Sequence, residues 1–240
     1  PKYAIAFRNR GIAKEEIIMY EGPTAIEDFS KALAINPNYY EALGSRAYAY
    51  ETHGNYKKAI DDYSKAVEIN PKYFFGIFRR AYLLLTSEND YKGAIEEYSK
   101  AIELNPIDKI SYYNRGYAKS ALNDDNGAYE DYSKALEIDP NYEICLISRG
   151  LLKEKLNDRK GAIEDYSKVL KVNPKNYDAL SNRGLAKAAI NEHKVAIDDF
   201  SRLLKIYSVD TSTLRNRGIS KFFLGDYKGA IEDYDRALLI

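Results

Sequence analysis

Residues 162–174 read Ala162-Ile163-Glu164-Asp165-Tyr166-Ser167-Lys168-Val169-Leu170-Lys171-Val172-Asn173-Pro174, and the same phrase recurs along the chain. It is AIEDFSKALAINP from Ala25, AIDDYSKAVEINP from Ala59, AIEEYSKAIELNP from Ala94 and AYEDYSKALEIDP from Ala128, with looser copies from Ala196 and Ala230. The seven opening alanines lie 34, 35, 34, 34, 34 and 34 residues apart. A fixed period in this range marks one supersecondary unit stacked on itself, so length counts repeats here rather than domains.

Within the phrase, apolar side chains fall at i, i+1, i+4, i+7 and i+8, which is one stripe of a 3.6-residue period and predicts an amphipathic helix. The Asn-Pro and Asp-Pro pairs at Asn36-Pro37, Asn70-Pro71, Asn105-Pro106, Asp139-Pro140 and Asn173-Pro174 end it, because proline cannot extend the ladder and pushes its predecessor out of the α region. A second helix precedes each phrase. Its mark is Arg followed by a small residue, at Arg10-Gly11, Arg46-Ala47, Arg80-Ala81, Arg115-Gly116, Arg149-Gly150, Arg183-Gly184 and Arg217-Gly218. Glycine inside a helix costs about 1 kcal/mol relative to alanine, so its recurrence implies a neighbouring helix approaching too closely for a larger side chain. Short polar turns such as His53-Gly54-Asn55 and Leu224-Gly225-Asp226 join the two helices, and the additional residue of the 35-residue interval falls in Ser87 to Asp90. Two further residues are inserted between Arg10 and Ala25, around Gly22-Pro23.

These features together resemble the tetratricopeptide-repeat family: a 34-residue helix-turn-helix unit, a small residue in the first helix, Gly225-Asp226-Tyr227 at the turn, Ala opening the second helix, an aromatic four residues later and a closing Pro. Arg in the first helix is similar to the Asn-Arg-Gly repeats of many bacterial members, and Ser208 stands where the sixth closing proline is expected. The resemblance implies an all-α, right-handed superhelical solenoid of seven units, with first helices lining the concave groove and second helices on the convex face. The units run approximately 4–37, 38–71, 72–106, 107–140, 141–174, 175–208 and 209–240 of a single solenoid over 1–240. Pro1-Lys2-Tyr3 aligns with Pro71-Lys72-Tyr73 and Ile240 with Ile69. The expectation is therefore a fragment of a longer array, with apolar faces exposed on its terminal helices.

Composition narrows the function. The 36 basic and 36 acidic residues cancel, which removes the field a nucleic-acid binder uses to attract phosphate. No apolar run approaches the roughly 18 residues of a membrane span, no signal peptide is visible, and the cytoplasm is the default compartment. Cys145 is the single cysteine, and on an apolar stripe it reads as a packed side chain. His53 and His193 lie near turns in different repeats and read as solvated. Asp124-Asp125-Asn126-Gly127 fails the EF-hand register, since Leu122 and Ser133 occupy the first and last ligand places. No nucleophile, phosphate-loop, zincin or dinucleotide fingerprint occurs, so no enzyme, cofactor or metal is expected.

Two consecutive acids stand in every second helix: Glu27-Asp28, Asp61-Asp62, Glu96-Glu97, Glu130-Asp131, Glu164-Asp165, Asp198-Asp199 and Glu232-Asp233. Arg beside the small packing residue must be partly buried, and a buried guanidinium needs a hydrogen-bonded carboxylate. The second acid of each pair is the expected partner. A pattern repeated seven times is scaffold rather than catalysis.

What the resemblance implies about recognition is a polar ladder just before the Arg, pointing into the groove and bonding the backbone of an extended peptide: Asn9, Ser45, Arg79, Asn114, Ser148, Asn182 and Asn216. Repeats differ most beside it. Phe75, Phe78, Arg79, Tyr82, Ile110, Tyr113 and Tyr117 form an aromatic cluster in the third and fourth units, and exposed aromatics with Arg are the residue types of binding hot spots. The asparagine of the family's chaperone-tail clamp is absent, its place holding Ile12, Tyr48, Tyr82, Tyr117, Leu151, Leu185 and Ile219. The reading is a noncatalytic protein-interaction scaffold that binds an extended or helical protein or peptide segment in the groove. The alternative is self-assembly end to end through exposed terminal helices; single-stranded RNA on the 23 tyrosines is the third, weakened by net neutrality and by the packing role of Tyr63, Tyr98, Tyr132 and Tyr166.

Overall fold

The computed structural model describes residues 2–16 and 23–239, with Pro23 and Thr24 as backbone alone. Among the described residues there are fourteen α-helices and no strand. First and second helices alternate as α1 (Lys2–Glu15) and α2 (Pro23–Ile35), α3 (Tyr40–Thr52) and α4 (Tyr56–Ile69), α5 (Phe74–Thr86) and α6 (Tyr91–Leu104), α7 (Lys109–Ala121) and α8 (Asp125–Ile138). The series continues with α9 (Glu143–Lys155) and α10 (Arg159–Val172), α11 (Tyr177–Ala189) and α12 (His193–Ile206), α13 (Thr211–Phe223) and α14 (Tyr227–Leu238). By compactness the chain divides into two bodies, Pro1–Ala128 and Tyr129–Ile240, with the division inside α8. The insertion around Gly22-Pro23 lies largely outside the described residues, as do Pro1 and Ile240 at the two ends.

In the first body α1 packs on α2, α3 on α4 and α5 on α6, and each second helix also packs on the next first helix; α9 to α14 repeat this in the second body. The seam is built from the smallest and largest members of the phrase. Ala25, Ala59, Ala94, Ala162, Ala196 and Ala230 are buried, as are the aromatics four residues on, Phe29, Tyr63, Tyr98, Tyr166 and Phe200. The rings explain the recurring glycine. A Cβ built on Gly11, Gly150 or Gly184 would lie 2.5, 2.5 or 2.7 Å from the ring of Phe29, Tyr166 or Phe200, closer than any real packing contact. The close approach therefore comes from the repeat's own second helix.

The turn from first to second helix reverses the chain through one left-handed residue, the commonest way to end a helix. That residue is Asn at Asn89, Asn123, Asn157 and Asn191, with φ of 53, 62, 64 and 64°, and Gly at Gly54 and Gly225. After Asn89, Asn157 and Gly225 an aspartate then caps the second helix by accepting the backbone N–H three residues on, 3.0 Å from Asp90 to Gly93, 2.9 Å from Asp158 to Gly161 and 2.9 Å from Asp226 to Gly229. Asp124 caps α8 in this way, 3.0 Å from the N–H of Gly127, which accounts for the acidic run there. Four residues separate α5 from α6, where three separate α9 from α10, so the 35-residue interval is absorbed in a turn and leaves the packing register intact.

Candidate functional site

The repeated Arg is a structural clamp. Its guanidinium donates to the second acid of its own repeat through Nε and Nη2: Arg46 to Asp62 at 2.7 and 2.9 Å, Arg149 to Asp165 at 2.9 and 2.7 Å, Arg183 to Asp199 at 2.9 and 2.6 Å, and Arg217 to Asp233 at 2.8 and 2.5 Å. The remaining nitrogen reaches back to the serine in the preceding repeat's phrase, Arg149 to Ser133 at 3.1 Å and Arg183 to Ser167 at 3.0 Å. Lys153, Lys187 and Lys221, four residues after the Arg, complete the carboxylate at 2.8, 2.9 and 2.9 Å. In the first repeat, donation from Arg10 outweighs burial, and with Lys14 it holds the Asp28 carboxyl down at about 2. Burial pushes Asp165 upward, but the hydrogen bonds of Arg149 and Lys153 overcome it, so its carboxyl also ends below the usual range. The clamps of Arg46, Arg149, Arg183 and Arg217 thus each join three helices and two repeats.

The polar ladder and the aromatic cluster occupy varied surroundings. Asn9 is exposed; Ser45, Ser148, Asn182 and Asn216 are half-buried. Asn114 is buried and donates from Nδ2 to the Tyr98 hydroxyl at 2.9 Å. Phe78 turns inward, edge-to-face with Tyr98 at 5.8 Å and stacked on Phe74 at 5.9 Å. Tyr113 is half-buried. Phe75, Tyr82, Ile110 and Tyr117 keep exposed surface. The structure brings Phe75, Arg79, Tyr82 and Ser45 to two pockets of the first body, and half-buried Phe78 and buried Asn114 line neither.

The first-helix face carries one further row. Two residues after the repeated Arg stand Tyr48, Tyr82, Tyr117, Leu151, Leu185 and Ile219, all exposed, with Ile12 half-buried in the first repeat. Tyr48 lines two pockets. One, of about 670 Å³, is bounded by Tyr48, Tyr56 and Tyr82 over Glu51 and Arg79. Glu51 is buried and accepts from Arg79 Nε at 3.0 Å, from Arg79 Nη2, and from the Tyr63 hydroxyl at 3.1 Å. The Arg79 guanidinium lies 5.5 Å from the Tyr48 ring centre and 5.3 Å from that of Tyr82, a cation held by a carboxylate below and two aromatic rings beside it. The other pocket that Tyr48 lines, of about 270 Å³, has Ile12, Glu15, Ser45 and Tyr48 at the registers of Tyr48, Glu51, Arg79 and Tyr82, with Arg8, Glu16, Phe29, Tyr73 and Phe75 making up the rest of its wall. Sequence reasoning did not find Tyr48, Glu51 or Glu15. The available signal was a glutamate five residues after the repeated Arg in the first, second and fifth repeats alone.

One expectation is corrected. His193 is buried rather than solvated, its ring stacked on Phe223 at 4.7 Å and nearly parallel. Six residues after the repeated Arg, only the seventh repeat has an aromatic, and it lies flat on the turn of the repeat before. Phe222, Phe223 and Tyr227 beside it remain more than half exposed. Cys145 is buried, its Sγ 3.4 Å from the Tyr132 carbonyl, and burial lifts its thiol to about 12, so it is no thiolate at neutral pH. Among the described residues no helix is long and apolar enough to cross a membrane, and no three His, Cys, Asp or Glu side chains gather to hold a metal ion.

Three tetratricopeptide-repeat family models match residues 40–73 and 110–142, 83–123, and 147–211, together about two thirds of the chain. No curated protein sequence gives a significant match. Among solved structures, YrrB, described as a tetratricopeptide-repeat protein with an unusual peptide-binding site, is 22% identical with a TM-score of 0.66, over 73% of this chain and 90% of that one. MamA from Desulfovibrio magneticus is 21% identical with a TM-score of 0.67, over 74% and 98% of the two chains. The pilF protein of Pseudomonas aeruginosa is 18% identical with a TM-score of 0.70, over 87% and 94%. At these identities the likeness concerns the fold.

Proposed function

The chain belongs to the tetratricopeptide-repeat family, and we propose that it is a noncatalytic scaffold that holds an extended partner segment against the first helices of its first three repeats. The observation carrying this reading is the pair of consecutive pockets that share Tyr48 as a wall. Pockets repeated at the period of the array suit a segment running along it, with alternate side chains entering successive pockets. The exposed aromatics Tyr48, Phe75 and Tyr82 supply apolar contact area, and rigid aromatics with an Arg among them are where interface energy concentrates. The half-buried Ser45 and exposed Asn9 offer hydroxyl and amide groups for a peptide backbone. YrrB, of the same fold, is described as having a peptide-binding site, which agrees with this use of the architecture.

The test is selection of binders from a displayed library of random twelve-residue peptides, followed by anisotropy titration of the selected sequences. Tyr48→Ala with Tyr82→Ala is expected to weaken the selected peptides at least tenfold. Ile138→Ala, an exposed position on α8, is expected to leave them unchanged. Peptides insensitive to the double variant would place binding elsewhere and sink the proposal.

A further inference from the structure

Two carboxylates at the same register, Glu15 and Glu51, have opposite fates. Glu51 is satisfied from within the chain, by the Tyr63 hydroxyl and by the Arg79 guanidinium of the next repeat. Glu154, at that register in the fifth repeat, also takes its own repeat's phenol, from Tyr166 at 2.7 Å. Glu15 has neither partner. The aromatic of its repeat is Phe29, which has no hydroxyl, and the residue in the place of Arg79 is Ser45, whose hydroxyl is already donated to the Glu41 carbonyl at 2.8 Å. Oε1 of Glu15 is buried without a hydrogen bond, and burial raises its carboxyl above the usual range, with the charge of His53 pulling the other way. Buried polar atoms without partners are rare in folded proteins and call for an explanation.

On the same face of α1, two turns earlier, Arg8 has its Nε buried and also without a hydrogen bond, its guanidinium 6.0 Å from the Tyr39 ring centre. Both side chains line the smaller pocket, with Ile12 between them along the helix and Glu16 beside the Glu15 end. Seven residues of helix span about 10.5 Å, the rise of three residues of extended chain at about 3.4 Å each. One extended segment therefore reaches both orphans.

We infer that this pocket receives a basic side chain, lysine or arginine, of the partner segment, which takes against Glu15 the place that Arg79 takes against Glu51, while a partner carbonyl about three residues away accepts from Arg8 Nε. The inference rests on the proposed groove binding and names its ligand chemistry. The Glu51–Arg79 pair is the template: a cation with its charged end on the carboxylate and its face against the aromatic row. At Glu15 the row supplies Ile12 and Tyr48, and the register of Arg79 holds Ser45 in place of a cation. Glu16 at that end adds a second negative charge, which favours an ammonium or guanidinium over a neutral amide donor.

The probe is a pool of fluorescein-labelled, N-acetylated and C-amidated octapeptides with leucine at the third position, every amino acid scanned at the sixth, and serine or alanine elsewhere. With the protein as it stands, lysine and arginine at the sixth position are expected to bind at least tenfold more tightly than norleucine or glutamate. Glu15→Gln should erase that preference, with thermal stability unchanged or raised because an unpartnered buried carboxyl is removed. Ser45→Arg, which copies Arg79 one repeat earlier, should fill the pocket from within and erase it too. A pool that binds and is weakened by Tyr48→Ala with Tyr82→Ala, yet shows no basic preference, overturns this inference and leaves the groove reading standing; it would mean the pocket holds water only. A basic preference that survives Glu15→Gln likewise overturns it. A pool that does not bind at all overturns both.

Discussion

The Arg149 guanidinium touches Asp165 in its own repeat and Ser133 in the one before, so one side chain fixes both the pairing of α9 with α10 and the stacking of α9 on α8. Asp165 is 1% exposed and keeps only Lys153 if the Arg is lost. Removing one partner of a buried pair leaves an undercompensated charge, at a cost of about 3 kcal/mol. Arg149→Met is therefore expected to lose about that much in urea unfolding at pH 7, and an unchanged midpoint would refute the clamp. The same pair dictates acid behaviour. The Asp28, Asp165 and Asp233 carboxyls titrate below their usual range in the folded protein, whereas in the unfolded chain they titrate near about 3.9. A depressed folded pKa gives stability that is present above the unfolded value and lost as pH falls toward the folded one. Between pH 5 and pH 2 the melting temperature should therefore drop, and Arg149→Met should drop less over that window because part of its contribution is already gone.

Helices were the most legible part of this chain, because each carries its own period and its own stops. The Arg–acid clamp was equally legible, since a side chain beside a packing glycine has one charge-compatible neighbour and the pattern recurs in every repeat. Single-copy features were not. The Glu51–Arg79 pair spans 28 residues, and a Glu at its register means something different in each repeat, depending on whether a phenol or an arginine stands nearby. His193 failed for the same reason: what covers it is Phe223, thirty residues away. The glycine was legible as a close approach but not as to what approaches. A Cβ on Gly150 would fall 2.5 Å from the Tyr166 ring, which is itself fully buried. Overpacking a filled core costs about 1–3 kcal/mol, so Gly150→Val should lower stability by that amount, read from the denaturation midpoint at constant slope. Ala47 and Ala81 hold this register in the second and third repeats, so Gly150→Ala should cost less than valine. Equal losses for the two would mean that the ring does not set the size limit.

Within each body, the substantial helix contacts among the described residues join neighbours or next neighbours in the chain, rather than the long-range crossings that make a globular core fail all at once. Stability in such an array is close to a sum of repeat terms and nearest-neighbour interfaces, so damage should stay local. Leu214 in α13 is fully buried, and truncating a leucine of this kind costs about 2–5 kcal/mol. Leu214→Ala should accelerate amide hydrogen exchange in α12, α13 and α14 while leaving protection in α3 to α6 as it was. Uniform loss of protection along the chain would instead mean a single cooperative unit. The distinction bears on the binding face. If opening is local, a segment laid across the first three repeats has to stabilise only α1 to α6, and the later repeats remain free to vary in sequence without weakening it. Glu15 Oε1 and Arg8 Nε, both without hydrogen bonds, sit on α1 within that stretch, where an incoming cation would add to local stability.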